Sequence, residues 1–466
     1  MLPVSEVPDL HRGDWEQTGY MRQRSRSDCY EGTESQSGVI YRMSRVIVTG
    51  GGAAGMMAAY AAAECGHSVV LLEQNEKLGK KLYITGKGRC NVTNACDQEE
   101  LFRNVVSNPK FLYSAFSDFN NTDLMELLRG AGCPLKVERG ERVFPVSDHA
   151  SDIMAALARL LKQSGVDVRL RTKVREILTE DNHVTGVLLA DGQCMKAEAV
   201  VLATGGLSYP ATGSTGDGHR MAEKLGHMVK ACTPALTPME TEESWCTSLQ
   251  GLALKNVMLT MHCGKKRIWS GFGEMLFTHF GISGPLVLSA SSFYQRCKDK
   301  DNVTVTVDLK PALSAEQLDR RILRDFEENP NKQFKNVIGG LYPARLIPVM
   351  IGLADIEEDR KIHQITKEER SRLVEVTKRL VIHVAGLRDF NEAIITQGGI
   401  HVKEVNPSTM ESRLVQGFYP VGELLDLDAV TGGFNLQIAW STGHLAGKSI
   451  PPQKQTRQKQ GEEYGS

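Results

Sequence analysis

The chain has 466 residues, enough for about three domains or for one large α/β domain that carries an insertion. Hydrophobic residues make up 41% of it and charged residues 24%, which excludes a wholly disordered, collagen-like or disulfide-stapled protein. The formal net charge of −1 provides no global field toward nucleic acid or an anionic membrane, so any such binding would need a local patch.

Ten cysteines are scattered along the chain, and none of them forms a C-x-x-C pair. This spacing argues against a zinc ribbon or a disulfide framework, and we expect no metal site. Isolated thiols are typical of a reducing cytoplasm. We therefore expect a cytoplasmic protein in which most cysteines serve as small buried hydrophobic residues.

The two ends of the chain differ in composition from the rest. Residues 1–42 contain seven acids and five bases but few aliphatic residues, and they lack the apolar core of a signal peptide. Such a segment cannot bury enough apolar surface to offset the entropy of ordering, so we predict a disordered arm or a start codon misassigned upstream of Met43. Residues 448–466 are similarly polar, and we predict a flexible tail there.

The first predicted elements lie in an uncharged stretch, residues 46–63, whose length alone is compatible with a membrane span. Its four glycines argue against one continuous helix, because each costs about 1 kcal/mol relative to alanine. We instead predict a strand over Arg45–Thr49, a glycine turn and a helix from Ala53 to about Cys65. A second buried strand should follow over His67–Glu73.

The turn between this strand and helix reads Gly50-x-Gly52-x-x-Gly55, and Glu73 ends the second strand. Gly50 permits the tight turn, Gly52 lets the backbone approach a pyrophosphate, and Gly55 lets the helix and strand pack closely. The helix N-terminus offers free N–H groups to phosphates, and Glu73 can accept hydrogen bonds from ribose hydroxyls. This arrangement predicts a dinucleotide site, the alternative being a glycine turn without a ligand.

Two further features favour FAD over NAD, which the motif alone does not separate. The loop Thr85–Asn94 is dense in glycine and hydrogen-bonding side chains, of which Arg89 and Asn91 can bond to a flavin ring. The apolar strand Ala199–Ala203 ends in a glycine turn, as in FAD-binding domains, and no second G-x-G-x-x-G is present for nicotinamide. We therefore predict bound FAD, with NAD(P)H only as a transient reductant.

The remaining elements follow from hydrophobic periodicity. We predict an amphipathic helix over Asp148–Leu161, strands over Val166–Leu170, Val174–Leu178, Val184–Ala190, Val257–His262, Val303–Leu309, Val381–Val384, Gly399–Val402 and Phe418–Val421, and helices over Glu316–Glu328, over Lys367–Leu380 and from about Asn435. The turn Asp191-Gly192 should join Val184–Ala190 to the following strand in a hairpin, and Ser314 should be the N-cap of the helix Glu316–Glu328.

Five blocks of sequence carry a resemblance to a known family. They are Gly86–Asn94 (GKGRCNVTN), Ala203–Gly218 (ATGGLSYPATGSTGDG), Pro234–Met239 (PALTPM), Gly273–Pro285 (GEMLFTHFGISGP) and Gly398–Gly443. On these blocks the chain resembles the YhiN/BaiN-like FAD-dependent oxidoreductases over about residues 43–447. The resemblance implies an α/β fold, in which a discontinuous Rossmann-like FAD-binding domain carries an inserted β-barrel-like domain and a helical domain.

The resemblance, together with the change along the sequence from β-rich to charged helical stretches, divides the chain into segments. We predict 1–42 as the arm, 43–233 as the first FAD-binding segment, 234–311 as a β-rich insert, 312–380 as a helical insert, 381–403 as the return strands of the insert, 404–447 as the second FAD-binding segment and 448–466 as the tail.

The predicted cofactor-binding residues combine the glycine motif, the polar loop and the positions onto which the family's FAD site maps. Within them, Asp426 would bond to the ribityl chain or to water near the pyrophosphate. The helix from about Asn435 would offer its N-terminus to the pyrimidine edge of the flavin. The full set is Gly50, Gly52, Ala53, Ala54, Gly55, Glu73, Gln74, Lys81, Gly88, Arg89, Asn91, Val174, Ala203, Thr204, Gly205, Gly422, Glu423, Asp426, Gly432, Gly433, Asn435 and Leu436.

The resemblance implies hydride transfer between the flavin and a substrate held by the insert. We expect reduction of a C=C bond conjugated to a carbonyl, in 3-oxo-4-ene or 4,6-diene bile acids, with NAD(P)H as reductant. Tyr209 and His279 are the candidate catalytic residues, as carbonyl polariser or proton donor. Cys90 is a weaker candidate for a redox thiol.

Other functions stay open at this point. The family also implies reduction of a ribosomal RNA uridine to dihydrouridine, and amine oxidation or a structural flavoprotein are further alternatives. The near-neutral charge gives weak support to a small steroid-like substrate over RNA. We expect no membrane partner, and the sequence leaves the oligomeric state open.

Overall fold

The strand, glycine turn, helix and strand predicted near the N-terminus are confirmed in the computed structural model, which describes residues 40–455. The elements are Arg45–Thr49, Ala53–Glu64 and Ser68–Leu72, and the two strands pair in parallel. Gly66 ends the helix region at a φ of +88°, which glycine adopts at low cost. The local sequence pattern therefore predicts this strand–turn–helix–strand unit correctly.

This unit is the centre of a five-stranded parallel sheet. Each neighbouring strand runs in the same direction, so the carboxyl ends of all five lie along one edge. Parallel strands of this kind are buried and apolar, as the fully buried Ala199–Leu202 illustrates. In spatial order the strands are Phe418–Pro420, Ala199–Leu202, Arg45–Thr49, Ser68–Leu72 and Asp167–Arg169.

The C-terminal helix Phe434–Ser449 packs on the first helix through small residues. A Cβ at Gly443 would lie 2.2 Å from the carbonyl oxygen of Ala54, and a Cβ at Gly447 would lie 2.3 Å from that of Ala58. Both pairs advance by four residues, so the two helices run side by side in the same direction. Glycine at these two positions lets the helix backbones touch.

The fold also contains three small antiparallel sheets. The predicted hairpin is confirmed, and the strand Val174–Glu180 joins its two strands in a three-stranded sheet. The strands are His183–Leu189 between Cys194–Lys196 and Val174–Glu180, Arg142–Pro145 between Thr93–Asn94 and Leu135–Glu138, and Val229–Ala235 paired with Ile395–Ile400.

The predicted β-barrel-like insert is a closed six-stranded barrel. Its strands alternate inward apolar and outward polar residues, as in Val303–Asp308. Buried apolar side chains form one large cluster around the parallel sheet and another in the barrel and its helices. In order around the barrel the strands are Met239–Thr241, Gly281–Ser283, Lys266–Phe277, Ala253–Cys263, Val303–Asp308 and Leu380–Leu387.

The helical insert is also present. Ser314 accepts a hydrogen bond from the Gln317 backbone at the start of the helix Ala315–Glu327, which confirms it as the N-cap. The α-helices of the described residues are Ala53–Glu64, Lys80–Ile84, Gln98–Arg103, Tyr113–Asp118, Asn121–Gly130, Ala150–Gln163, Asp217–Lys224, Ser244–Ser248, Pro285–Ser291, Ala315–Glu327, Phe334–Val337, Ile347–Ala354, Lys367–Lys378 and Phe434–Ser449.

The structure departs from the sequence-based expectations at a few places. The C-terminal helix continues to Ser449, inside the predicted tail, and Gln453–Gln455 pairs with Ile40–Arg42 at the end of the predicted arm. The rest of both terminal segments lies outside the described residues. The strand Ile395–Ile400, expected among the insert strands, pairs outside the barrel with Val229–Ala235. The exact segment boundaries stay predictions.

One disulfide, Cys263–Cys297, corrects the expectation of isolated thiols. It joins the end of a barrel strand to the segment that follows the helix Pro285–Ser291. Spacing alone could not show this pair, because the two cysteines are 34 residues apart and meet only once the barrel has closed.

Candidate functional site

A cavity of about 680 Å³ lies at the carboxyl edge of the parallel sheet. Ligands in α/β folds bind at this edge, because the loops that leave the strands meet there. All of the predicted cofactor-binding residues line this cavity except Gly55, Gly88, Gly422 and Asp426. The opposite wall comes from the barrel and its helix Pro285–Ser291.

The three glycines of the motif have physically different surroundings. Gly50 has a φ of +104°, and a Cβ there would lie 2.4 Å from the carbonyl oxygen of Ala203. A Cβ at Gly55 would lie 1.8 Å from the carbonyl oxygen of Gly50. At Gly52 a Cβ would meet no protein atom within 4 Å. Gly50 and Gly55 thus allow the protein to pack against itself, whereas Gly52 leaves open space for a ligand.

The buried carboxylate of Glu73 holds the glycine turn in place. Its Oε2 accepts from the Gly51 backbone N–H at 2.7 Å, and its Oε1 accepts from the backbone and side-chain nitrogens of Asn75 at 2.8 and 2.7 Å. A carboxylate accepts about four hydrogen bonds, so one position remains for a ligand hydroxyl. This arrangement agrees with the predicted ribose contact.

Two helix N-termini face the cavity without a capping side chain, at Gly52 and at Gly433. Because Gly443 packs beside Ala54 and the two helices run in the same direction, Gly52 lies beside residue 441 of the C-terminal helix. Gly433 is eight residues before residue 441 in that helix. At about 1.5 Å per residue, the two N-termini are offset by about 12 Å along the helix direction. An extended ligand with one anionic centre and one distant electron-accepting group suits both positive ends.

Three buried side-chain oxygens that line the cavity have no hydrogen-bond partner. They are the hydroxyls of Thr49 and Thr204 and the amide oxygen of Asn91. A buried polar atom without a partner costs about 1–3 kcal/mol, so a ligand that supplies partners would stabilise the site. Together with the open space at Gly52 and the two helix ends, these atoms fit a bound FAD.

Glu423 lines the cavity and belongs to a polar cluster on one wall. Glu423 accepts from the Lys81 ammonium at 2.7 Å, from the Ser208 hydroxyl at 2.7 Å and from the Thr396 backbone at 2.8 Å. The position of Asp426 differs from the prediction. Its buried carboxylate is turned away from the cavity and pairs with Lys230 at 3.2 Å.

The turn that follows the strand Phe418–Pro420 explains this difference. A short helical turn, Gly422–Leu424, presents Glu423 to the cavity, and Asp426 then donates its backbone N–H to the carbonyl of Ile400 on a neighbouring strand. Glu423 is therefore the acid of this loop that a ligand would meet.

Arg89 and Cys90 differ in what they can do in the polar loop. Arg89 lines the cavity, but its guanidinium donates to Glu138 at 2.9 Å and to Asp148 at 3.1 Å and lies over the ring of Phe144. The predicted bond to a flavin ring would compete with these ion pairs. Burial raises the pKa of Cys90 to about 12, so its thiol is protonated at neutral pH and is a poor redox nucleophile.

Neither predicted catalytic residue lines the cavity. Tyr209 is partly buried in a turn, with a φ of +52° and its backbone N–H donating to the carbonyl of Phe390. Burial, helped by the charge of Glu392, raises the pKa of its phenol. His279 is exposed, with its ring edge against Phe280. Their catalytic roles stay predictions.

Comparison with known proteins places this geometry in a family. The model of the HI0933-like protein Rossmann domain matches residues 44–449. A 3-dehydro-bile acid delta(4,6)-reductase of Clostridium scindens is 30% identical over 87% of this chain and 99% of its own. A ribosomal RNA dihydrouridine synthase of Haemophilus influenzae is 31% identical over 88% of this chain and 99% of its own.

The chain belongs to the HI0933-like family. This confirms the predicted relationship to YhiN/BaiN-like proteins and the α/β fold with a Rossmann-type FAD-binding domain. The chain is accordingly a flavoprotein oxidoreductase. Among solved structures, a 3-ketosteroid-delta4-(5alpha)-dehydrogenase of Rhodococcus jostii RHA1 is similar, with 14% identity, a TM-score of 0.47, and coverage of 88% of this chain and 96% of that one.

Several cavity residues of this HI0933-like protein were not predicted from the sequence. Thr49 ends the first strand, and its position at the carboxyl edge is a signal that could have identified it. Glu274 and Ser283 lie within the family block Gly273–Pro285, which marks the segment but not the side chains. Arg142, from a small antiparallel strand, carried no recognisable signal.

Residues 40–455 offer neither a cluster of metal-binding side chains nor a helix that could cross a membrane. No group of three or more histidine, cysteine, aspartate or glutamate side chains in this part of the chain could hold a metal ion. Within the same residues, no helix combines the length and the apolar character that a membrane crossing requires.

Proposed function

We propose that this HI0933-like protein reduces a C=C bond conjugated to a carbonyl in a steroid of the bile-acid type, with NAD(P)H as the source of electrons. The observation that carries the proposal is the composition of the two cavity walls. One wall has the features that fit FAD, and the barrel wall opposite is mainly apolar, with Leu276, Pro285 and Leu288. Leu236, from the segment before the barrel, packs in one apolar cluster with Leu288. A flat apolar substrate would bury its faces against such a wall.

The relatives support the same reaction class. The 30% identical protein from Clostridium scindens is a 3-dehydro-bile acid delta(4,6)-reductase and is covered over 99% of its length. A full-length match at this level makes a related activity the first proposal to test.

The residues of the chain contribute binding, orientation and exclusion of water. When bound, FAD would accept a hydride from the reductant and donate one to the substrate. The helix N-terminus at Gly52 would hold the pyrophosphate, Glu73 the ribose, and the N-terminus at Gly433 the pyrimidine edge. The apolar residues of the barrel wall would exclude water from the reacting carbon atoms.

A second function has a specific observation in its favour. The ribosomal RNA dihydrouridine synthase of Haemophilus influenzae is as similar to this chain as the bile-acid reductase is, at 31% identity. Saturation of a uridine ring also adds a hydride to a C=C bond conjugated to a carbonyl. The cavity features that fit FAD would serve both reactions, so the substrate must be decided by experiment.

Stopped-flow reduction and reoxidation under anaerobic conditions would decide between them. We expect NADH or NADPH to bleach the flavin absorbance, and a 3-oxo-4-ene steroid to restore it with saturation of the C=C bond. Reoxidation by unmodified ribosomal RNA, with dihydrouridine formed and no response to steroid, would instead establish the RNA reaction. A chain that cannot be loaded with FAD would contradict both.

The same assay tests the two catalytic residues predicted from the sequence. If either donates the proton, Tyr209→Phe or His279→Ala should lower turnover by more than tenfold while FAD stays bound. Unchanged turnover would remove that residue from the mechanism.

A further inference from the structure

Arg142 is a cavity-lining cation whose main hydrogen-bond donors are free. It lies on the strand Arg142–Pro145, is partly buried and contributes to the cavity wall. Its Nε donates to the carbonyl of Arg139 at 3.1 Å, which fixes the direction of the side chain. Among residues 40–455, no carboxylate pairs with its guanidinium, and its two Nη groups have no acceptor.

The neighbouring charges explain why this guanidinium stays unpaired. The barrel wall contributes the acid Glu274 to the cavity, but its carboxylate lies 3.7 Å from the guanidinium of Arg139. Arg89, another cation of the wall, is held by Glu138 and Asp148. Arg142 thus brings an uncompensated positive charge into the cavity, whereas the other two arginines do not.

The backbone around Arg142 places it beside the predicted flavin edge. Arg142 pairs across the small sheet with Asn94. The Asn94 side chain donates to the carbonyl of Gly432 at 3.1 Å, next to the uncapped helix end at Gly433. Arg142 is therefore near the glycine turn of the FAD-binding wall through Asn94. It is near the barrel wall through Arg139, whose carbonyl accepts from Arg142 and whose guanidinium lies 3.7 Å from Glu274.

We propose that Arg142 binds the carbonyl oxygen of the substrate and stabilises the negative charge that develops there. The inference rests on the proposed reduction of a conjugated C=C bond, and it applies to a steroid enone and to a uridine ring alike. A planar guanidinium with free Nη groups offers two parallel donors to such an oxygen. Preorganised donors of this kind stabilise an oxyanion without reorganisation during the reaction.

The proposed step transfers one hydride and one proton to the substrate. When FAD is bound and reduced, the hydride that it supplies would add to the β-carbon of the substrate. The C=C electron pair would then shift to form an enolate, whose negative oxygen Arg142 would bind. A proton from solvent or from an acid then adds to the α-carbon, and the carbonyl re-forms. One hydride and one proton saturate the bond, and Arg142 neither gains nor loses a proton.

A steroid with a phenolic A ring tests this role without turnover, because its phenolate resembles the enolate. Titrated into the oxidised FAD-loaded protein, it should give a flavin charge-transfer absorbance that grows with ionisation of the phenol. In Arg142→Met we expect the ionisation to move to higher pH by at least one unit and the affinity to fall at least tenfold, with partial recovery in Arg142→Lys. Arg103→Met, at an exposed helix position, should behave as the wild type.

Turnover and flavin potential complete the test. We expect kcat/KM of Arg142→Met to fall by about 10²–10³, the usual loss for one oxyanion donor, with the flavin midpoint potential unchanged. A shifted potential with normal phenol binding would overturn the inference, because Arg142 would then act on the flavin. If the wild type reduces neither steroid nor RNA, the proposed function fails. The phenol titration still decides whether Arg142 binds an oxyanion.

Discussion

The different surroundings of Gly52 and Gly55 predict opposite outcomes for one substitution made three residues apart. At Gly52 an added methyl group meets no protein atom within 4 Å and points into open cavity. At Gly55 the same methyl group would lie 1.8 Å from the carbonyl oxygen of Gly50, a backbone atom that cannot rotate away. We therefore expect Gly52→Ala to damage the cofactor site and Gly55→Ala to damage the fold.

The magnitudes follow from these contacts. In Gly52→Ala the methyl group would push the pyrophosphate off the helix N-terminus and lose one charge-assisted hydrogen bond. That bond is worth about 1.5–3 kcal/mol, or roughly a 10- to 150-fold weaker Kd for FAD. The free energy of unfolding without FAD should change by no more than about 1 kcal/mol. In Gly55→Ala, the 1.8 Å approach to a backbone oxygen puts the overpacking cost at about 3 kcal/mol or more, of which the gain in helix propensity offsets only about 1 kcal/mol.

Two measurements on the FAD-free proteins check this reasoning. Urea unfolding gives the stability of each variant, and quenching of FAD fluorescence gives the Kd. Wild-type affinity in Gly52→Ala would refute the assignment of the open space to the pyrophosphate. Wild-type stability in Gly55→Ala would refute the close packing of the turn against the helix.

Three further predictions concern stability, each measured by urea unfolding. Gly443→Ala should cost about 1–3 kcal/mol by its clash with the neighbouring helix, whereas Gly352→Ala, in an open helix position, should gain about 0.4–1 kcal/mol. Burial raises the pKa of Asp428 to about 6, above its unfolded value, so stability falls as pH rises from about 4 to 6. The free energy of unfolding of Asp428→Asn should exceed that of the wild type by about 3 kcal/mol at pH 8 and by little at pH 4. Reduction of the disulfide Cys263–Cys297 by a dithiol should lower the free energy of unfolding by about 4 kcal/mol. The same dithiol should not change the free energy of unfolding of Cys297→Ser, which lacks the disulfide.

The glycine motif could be predicted residue by residue because each of its tasks is local. Gly50, Gly52 and Gly55 act within one strand–turn–helix unit, and Glu73 ends the strand next to it. The hydrophobic pattern fixes these elements, so the direction of each side chain follows from the sequence alone. The same reasoning found the hairpin and the Ser314 cap, which also depend on neighbours in the chain.

The choice between Glu423 and Asp426 could not be made in this way. Both acids lie in one loop, and their order gives no reason to prefer either for the cavity. The choice depends on a hydrogen bond from the Asp426 backbone to Ile400, a residue of a distant strand. Arg142 and Glu274 could not be predicted for a similar reason, because these two residues of different sheets come to the same cavity only when the barrel is folded beside the parallel sheet.

The distance between the two anchor points of the cofactor is likewise set by packing far from the cavity. The offset of about 12 Å between the helix ends at Gly52 and Gly433 holds only while Gly443 faces Ala54 and Gly447 faces Ala58. If the C-terminal helix slipped by one turn, Gly433 would move by about 5.4 Å, and a ligand that reached one end would miss the other. Larger residues at these two glycines would force such a displacement. The glycine pair therefore acts on cofactor binding without touching the cofactor.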